Sequence, residues 1–120
     1  MEKILVLGCN KIMDKLCIGC SRCLVSFNRY EGEFSRYKEK GAELIGLASC
    51  GECPGNTLNA RMAVMKLWNA PLGEEPTKIH VAPCLMHCPH SESIIDNLQT
   101  KVGIEIVRGT HPYQMETIFG

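Results

Sequence analysis

Four short runs of Ile, Val and Leu alternate with three helix-sized patterns, and that alternation constrains the fold more than any other feature of the chain. The runs are KILVLGC (3–9), AELIGLASC (42–50), KIHVAPC (78–84) and GIEIVRGTH (103–111), each with the length and composition of a strand. Between them, SRCLVSFNRY (21–30) repeats Leu24, Phe27 and Tyr30 at spacings of three. TLNARMAVMKLW (57–68) sets Leu58, Met62, Met65 and Trp68 on one stripe behind Thr57 as N-cap, and SESIIDNLQTKV (91–102) opens on serines and repeats Ile94, Ile95 and Leu98. Gly32 and Gly41 punctuate the connection after the first helix, and NAPLGEEPT (69–77) reads as a loop. Strands joined through helices need crossover connections, so the sheet is expected to be parallel and covered on both faces. The prediction is an α/β fold: one small domain over residues 1–120, a parallel sheet of about four strands, three layers, Rossmann-like or flavodoxin-like. Met62, Met65 and Trp68 are expected in its core.

Composition narrows the function classes. In 120 residues with formal net charge +0 there is no basic stripe, and three Tyr, three Phe and one Trp offer few rings for stacking bases. Nucleic acid and anionic membrane surfaces are therefore not the expected partners. The apolar run Ile4–Leu7 ends at Gly8, too short for a signal peptide, and no stretch is long enough to span a bilayer, so the expected location is the cytoplasm. Eight cysteines in a reducing compartment point to metal ligands or redox thiols rather than a disulfide framework, with one or two serving as small buried hydrophobes.

Three strand-like runs end in cysteine, at Cys9, Cys50 and Cys84, and the fourth ends in His111. A parallel sheet lines up its carboxyl ends along one edge, where open α/β sheets bind their ligands. The other candidates follow the same strand ends: Cys17, Cys20 and Cys23 in CIGCSRC, Cys53 in CGEC, and His87, Cys88 and His90 in CLMHCPH. Zinc takes about four Cys, His or carboxylate ligands, often two of them from a C-x2-C knuckle. Cys50 and Cys53 form such a knuckle, and Cys9 and Cys84 would close the tetrahedron if the strand order brings them together. These four are the inner group; Cys17, Cys23, Cys88, His90 and His111 form an outer group that completes a second site or holds the first closed.

Two rival chemistries use the same thiols. CIGCSRC has the C-x2-C-x2-C spacing of iron–sulfur loops, and Cys88-Pro89 matches the remote Cys-Pro that completes them. Alternatively, Cys50 and Cys53 are the dithiol of a thiol-disulfide oxidoreductase, although Pro54-Gly55 sets the helix start near Thr57, too far on to activate them strongly. Other templates fail on spacing: only four residues separate Cys17 from Arg22, where a cysteine phosphatase loop needs five, and no glycine-rich phosphate loop is present.

The histidines differ in promise. His80, on an extended strand, would lie roughly 13 Å from Cys84 and is expected to be structural. His87 and His90 flank Cys88 as ligand candidates, while His111 beside Pro112 suits a ligand and a surface residue equally. Glu52 is a carboxylate ligand or an exposed loop residue, the latter being more usual.

Taken together, LASCGECPG, the early cysteines leading into SFNRYEGEFSRY, then IHVAPCLMHCPH and GIEIVRGTH resemble the CGGC domain proteins of prokaryotes, in the family's order and over nearly the whole chain. The resemblance implies metal binding through cysteine and histidine and no particular activity. Carried over by position, its motif residues are Cys9, Cys17, Cys23, Cys50, Cys53, Cys84, Cys88, His90 and His111. Glu52 stands where the family's tetrad has its second glycine, and Cys20 is an addition.

Overall fold

A computed structural model describes residues 2–9, 21–50, 58–86 and 88–111. Its elements are β1 (Glu2–Gly8), α1 (Ser21–Arg29), a 3-10 helix (Gly32–Tyr37), β2 (Ala42–Ser49), α2 (Leu58–Asn69), a short 3-10 turn (Ala70–Leu72), β3 (Lys78–Val81), α3 (Pro83–Met86), α4 (Ser91–Lys101) and β4 (Glu105–Arg108). The four strands form one sheet in the order β2-β1-β3-β4, and every neighbouring pair is parallel. Among the described residues, no helix is long and apolar enough to cross a membrane.

The position of β1 explains its composition. An interior strand covered on both faces must be apolar throughout rather than alternating, and Ile4, Leu5, Val6 and Leu7 are each at most 1% exposed. Leu5 and Leu7 pack with Ile79, Val81, Leu58, Met62, Leu85, Ile94, Ile95 and Leu98, the layer supplied by α2, α3 and α4. Ile4 and Val6 face the opposite layer of Cys23, Phe34, Tyr37 and Ala82, with Phe27 and Tyr30 packed against it. Burying one such aliphatic side chain stabilises the fold by about 1.5–3 kcal/mol.

Several expectations are corrected. The buried residues of α1 are Cys23 and Ser26, with Phe27 and Tyr30 on the same side, so the inward stripe is shifted from the one running through Leu24. The helix ends in a Schellman arrangement: Tyr30 takes the left-handed φ of 55°, its N–H donates to Phe27 O, and the Glu31 N–H donates to Ser26 O. The connection after α1 is a 3-10 helix that buries Phe34 and Tyr37. Strand β3 stops at Val81; Pro83 has no N–H for the ladder and starts α3 instead, so Cys84 sits on a helix and not at a strand terminus.

Trp68 is the clearest reversal. Met62 is buried, but Trp68 is 73% exposed and Leu67 74%. Because β2 is an edge strand, α2 overhangs the sheet there and its stripe outruns the surface that would cover it. A groove of about 490 Å³ opens between β2 and α2, with Leu47, Arg61, Val64 and Trp68 among its walls.

Candidate metal centre

The strand order places a topological switch point in the middle of the sheet. The crossover from β1 leads to β2 on one side, and the next returns to β3 on the other, so the chain diverges outside the carboxyl ends of β1 and β3, where α/β sheets bind ligands. Cys9 directly follows β1, and Ala82-Pro83-Cys84 follows β3. The Ala82 N–H donates to Leu7 O at 2.9 Å, carrying the β1–β3 ladder one residue further, and the Cys9 N–H donates to Cys84 Sγ at 3.2 Å. On the other side the Cys50 N–H donates to Gly8 O at 3.1 Å. Cys50, Cys9 and Cys84 thus follow one another along the edge.

They differ in surroundings. Cys50 is 3% exposed and belongs to the layer of Leu58 and Met62. Cys84 is half-buried against the opposite layer, and Cys9 is buried. The thiols are soft ligands suited to zinc or to an iron–sulfur cluster, and an N–H directed at sulfur is the outer interaction that holds a metal thiolate in place.

The outer group is spread more widely. Cys23 is 1% exposed, and its Sγ lies 3.1 Å from Thr110 Oγ1, beneath the end of β4. Cys88 packs on the α2–α4 layer and accepts the His90 N–H at 3.4 Å, with His90 at the N-cap position of α4. His111 is half-buried next to Thr110. Cys17 and Cys53 lie outside the described residues, as do Cys20, Glu52, Thr57 and His87. Among the described residues, no group of three or more His, Cys, Asp or Glu is placed to hold a metal ion. The donor chemistry therefore fits a soft metal, while the number of described ligands falls short of a tetrahedron.

The end of β4 is fastened by residues for which the sequence carries no periodic signal. The His80 ring is fully buried, stacked at 4.7 Å between centroids on Phe34, with Nδ1 2.9 Å from Gly109 O and Nε2 2.6 Å from the Tyr37 hydroxyl. A carbonyl can only accept, so Nδ1 carries the proton, Nε2 is the acceptor, and Tyr37 O–H donates to it. Burial drives the His80 pKa down to about 4, opposed mainly by the Gly109 carbonyl, and raises that of Tyr37 to about 12. His80 is thus the structural histidine expected, on the ground of its two hydrogen bonds and full burial rather than of an extended path to Cys84. The Thr110 carbonyl accepts the Glu33 N–H at 2.9 Å. Only the motif GTH marked this segment in the sequence, and it drew attention to His111 rather than to Thr110.

The family model described as CGGC domain matches residues 3–111. An uncharacterized protein of Methanocaldococcus jannaschii is 32% identical over 117 residues, an alignment covering 91% of this chain and 86% of that one. No solved structure matches the chain.

Proposed function

The chain belongs to the CGGC domain family, and from that premise we propose that it binds a soft metal ion, zinc before an iron–sulfur cluster, at the carboxyl edge of its sheet. Cys9 and Cys84 would hold the ion across the switch point, with Cys50 next along the edge. Cys17, Cys53, Cys88, His90 and His111 are the candidates for completing the set. The observation that carries this reading is the 3.2 Å approach of the Cys9 N–H to Cys84 Sγ, which joins two residues distant in sequence at the place where such sheets bind ligands. A bound ion would supply positive charge that keeps its ligands as thiolates and would couple binding to folding. A reducing, cytoplasmic setting and one domain over residues 1–120 belong to the same proposal.

The exchange of disulfides by Cys50 and Cys53 is less well supported. A nucleophilic thiol must meet an external substrate, whereas Cys50 is 3% exposed among apolar side chains.

Elemental mass spectrometry on tag-free protein purified without oxygen tests the proposal. Roughly one equivalent of zinc is the expected result, with Cys9→Ser and Cys84→Ser each lowering metal content and Tm together. Iron with matching sulfide would move the assignment to the cluster and to CIGCSRC. No metal, as purified and after reconstitution, would overturn metal binding and return attention to the dithiol.

A further inference from the structure

We infer that α2 is the contact surface of a two-fold homodimer, in which the Val64–Leu72 stripe of one copy packs against the same stripe of another. Six large hydrophobic side chains are exposed among the described residues, and five of them, Leu47, Val64, Leu67, Trp68 and Leu72, lie on α2, in the turn after it or on the adjoining wall of the groove. Exposed apolar residues scattered singly need no explanation, but a contiguous group does.

The form of the patch selects the partner. An extended peptide would have to add to the free edge of β2, yet that strand carries a bulge: Ile4 pairs with Leu44 and Leu5 with Gly46, leaving Ile45 over. Bulges bend an edge strand and disrupt its ladder, which discourages strand addition. Val64, Leu67/Trp68 and Leu72 recur instead at spacings of three and four, the pattern that packs against another helix. On the far side of α2, Lys66 is tied back to Val102 O at 2.9 Å, so this face of the helix is the one left to a partner.

A second copy satisfies the size of the patch. The five side chains expose of the order of 500 Å² of apolar surface, most of the roughly 800 Å² that each partner buries in a standard interface. An isologous contact requires a self-complementary surface. Antiparallel packing about an axis near Val64 and Trp68 lays the stripe of one copy along the same stripe of the other.

The test is sedimentation of the full chain as purified, from about 1 to 100 μM, the range in which mass action separates weak dimers from monomers, with reductant present so that disulfides cannot link the copies, and a repeat with chelator to exclude a bridging metal. The expected result is a concentration-dependent shift to twice the chain mass. Trp68 is the single tryptophan, so its emission should move to the blue in parallel. Leu67→Lys and Trp68→Glu should each raise the dissociation constant about tenfold or more, while Val25→Glu, an exposed apolar position elsewhere, should leave association intact. A wild-type chain that stays monomeric at the highest concentration, or a dimer that survives both Leu67→Lys and Trp68→Glu, would overturn the inference. None of these readouts depends on metal content, so the metal proposal stands or falls separately.

Discussion

The Nδ1–H of His80 donates to the carbonyl oxygen of Gly109 across 2.9 Å, linking the fully buried middle of β3 to the first residue after β4. The bond fixes the tautomer of the ring and makes the carboxyl end of β4 dependent on an imidazole that stays neutral. That dependence gives the protein a pH response.

The His80 pKa is lowered from near 6.5 to about 4 by burial. Between those values the unfolded chain takes up a proton that the native state refuses. Stability is therefore fully present above pH 6.5 and is lost as pH falls toward 4. Urea unfolding at pH 7 and pH 4 should differ by of the order of 3 kcal/mol from this group alone. His80→Gln, compared across the same range, should show a flatter dependence; an unchanged slope would mean that other groups carry the response.

Tyr37→Phe removes the hydroxyl that donates to His80 Nε2 at 2.6 Å. The ring still fills its space, but a buried acceptor loses its donor. A loss of about 1–3 kcal/mol is expected in chemical denaturation at neutral pH. The same substitution should remove an alkaline effect: with its pKa raised from 10 to about 12, Tyr37 contributes stability that is present below pH 10 and lost as pH rises toward 12.

Gly109 has φ +116°, and a Cβ built there would meet Glu33 Cγ at 2.9 Å. Gly109→Ala should cost about 1–3 kcal/mol, chiefly through backbone strain, since the Glu33 side chain can swing aside. Thermal unfolding with Glu33→Ala as a second background separates the two causes: the strain should persist there, and full rescue would assign the effect to the clash.

Gly46 faces a milder restriction. A Cβ would approach Leu5 Cδ1 to 3.0 Å with no positive φ to add strain. The expected loss for Gly46→Ala is about 1 kcal/mol, the cost of a modest overpacking, and Leu5→Val in the same chain should make the alanine easier to accommodate. A double-mutant cycle measures that coupling.

Much of this arrangement was legible in the residues themselves. Strand-like runs alternating with helix-sized patterns need crossover connections, so the parallel sheet followed from pattern alone. Ile94, Ile95 and Leu98 repeated as they pack. Phe34 and Tyr37 escaped notice because a 3-10 helix of six residues has too few turns to establish a period. Trp68 was misplaced because periodicity shows which residues share a stripe, not where the sheet beneath them ends. At the candidate site, the sequence left the meeting of Cys9 and Cys84 conditional on the strand order; the sheet places β1 beside β3, and the contact formed is between a backbone N–H and a sulfur on α3, with Pro83 starting that helix. The bond between Cys23 and Thr110 had no local signal, since 87 positions separate its partners.

The strand order also bears on how the chain reaches its native state. β1 precedes the other three strands in sequence and lies inside the sheet, with β2 on one side and β3 on the other, so both of its neighbours come from later segments of the chain. Each new strand closes a long crossover loop before its ladder forms, and β4 can dock only on a β3 already in place. Such nonlocal pairing makes folding slow relative to a helical chain of this length. Until β2 and β3 have both paired, an apolar flank of β1 stays uncovered, so the residues that give the native sheet its centre are those that an incomplete fold exposes to aggregation.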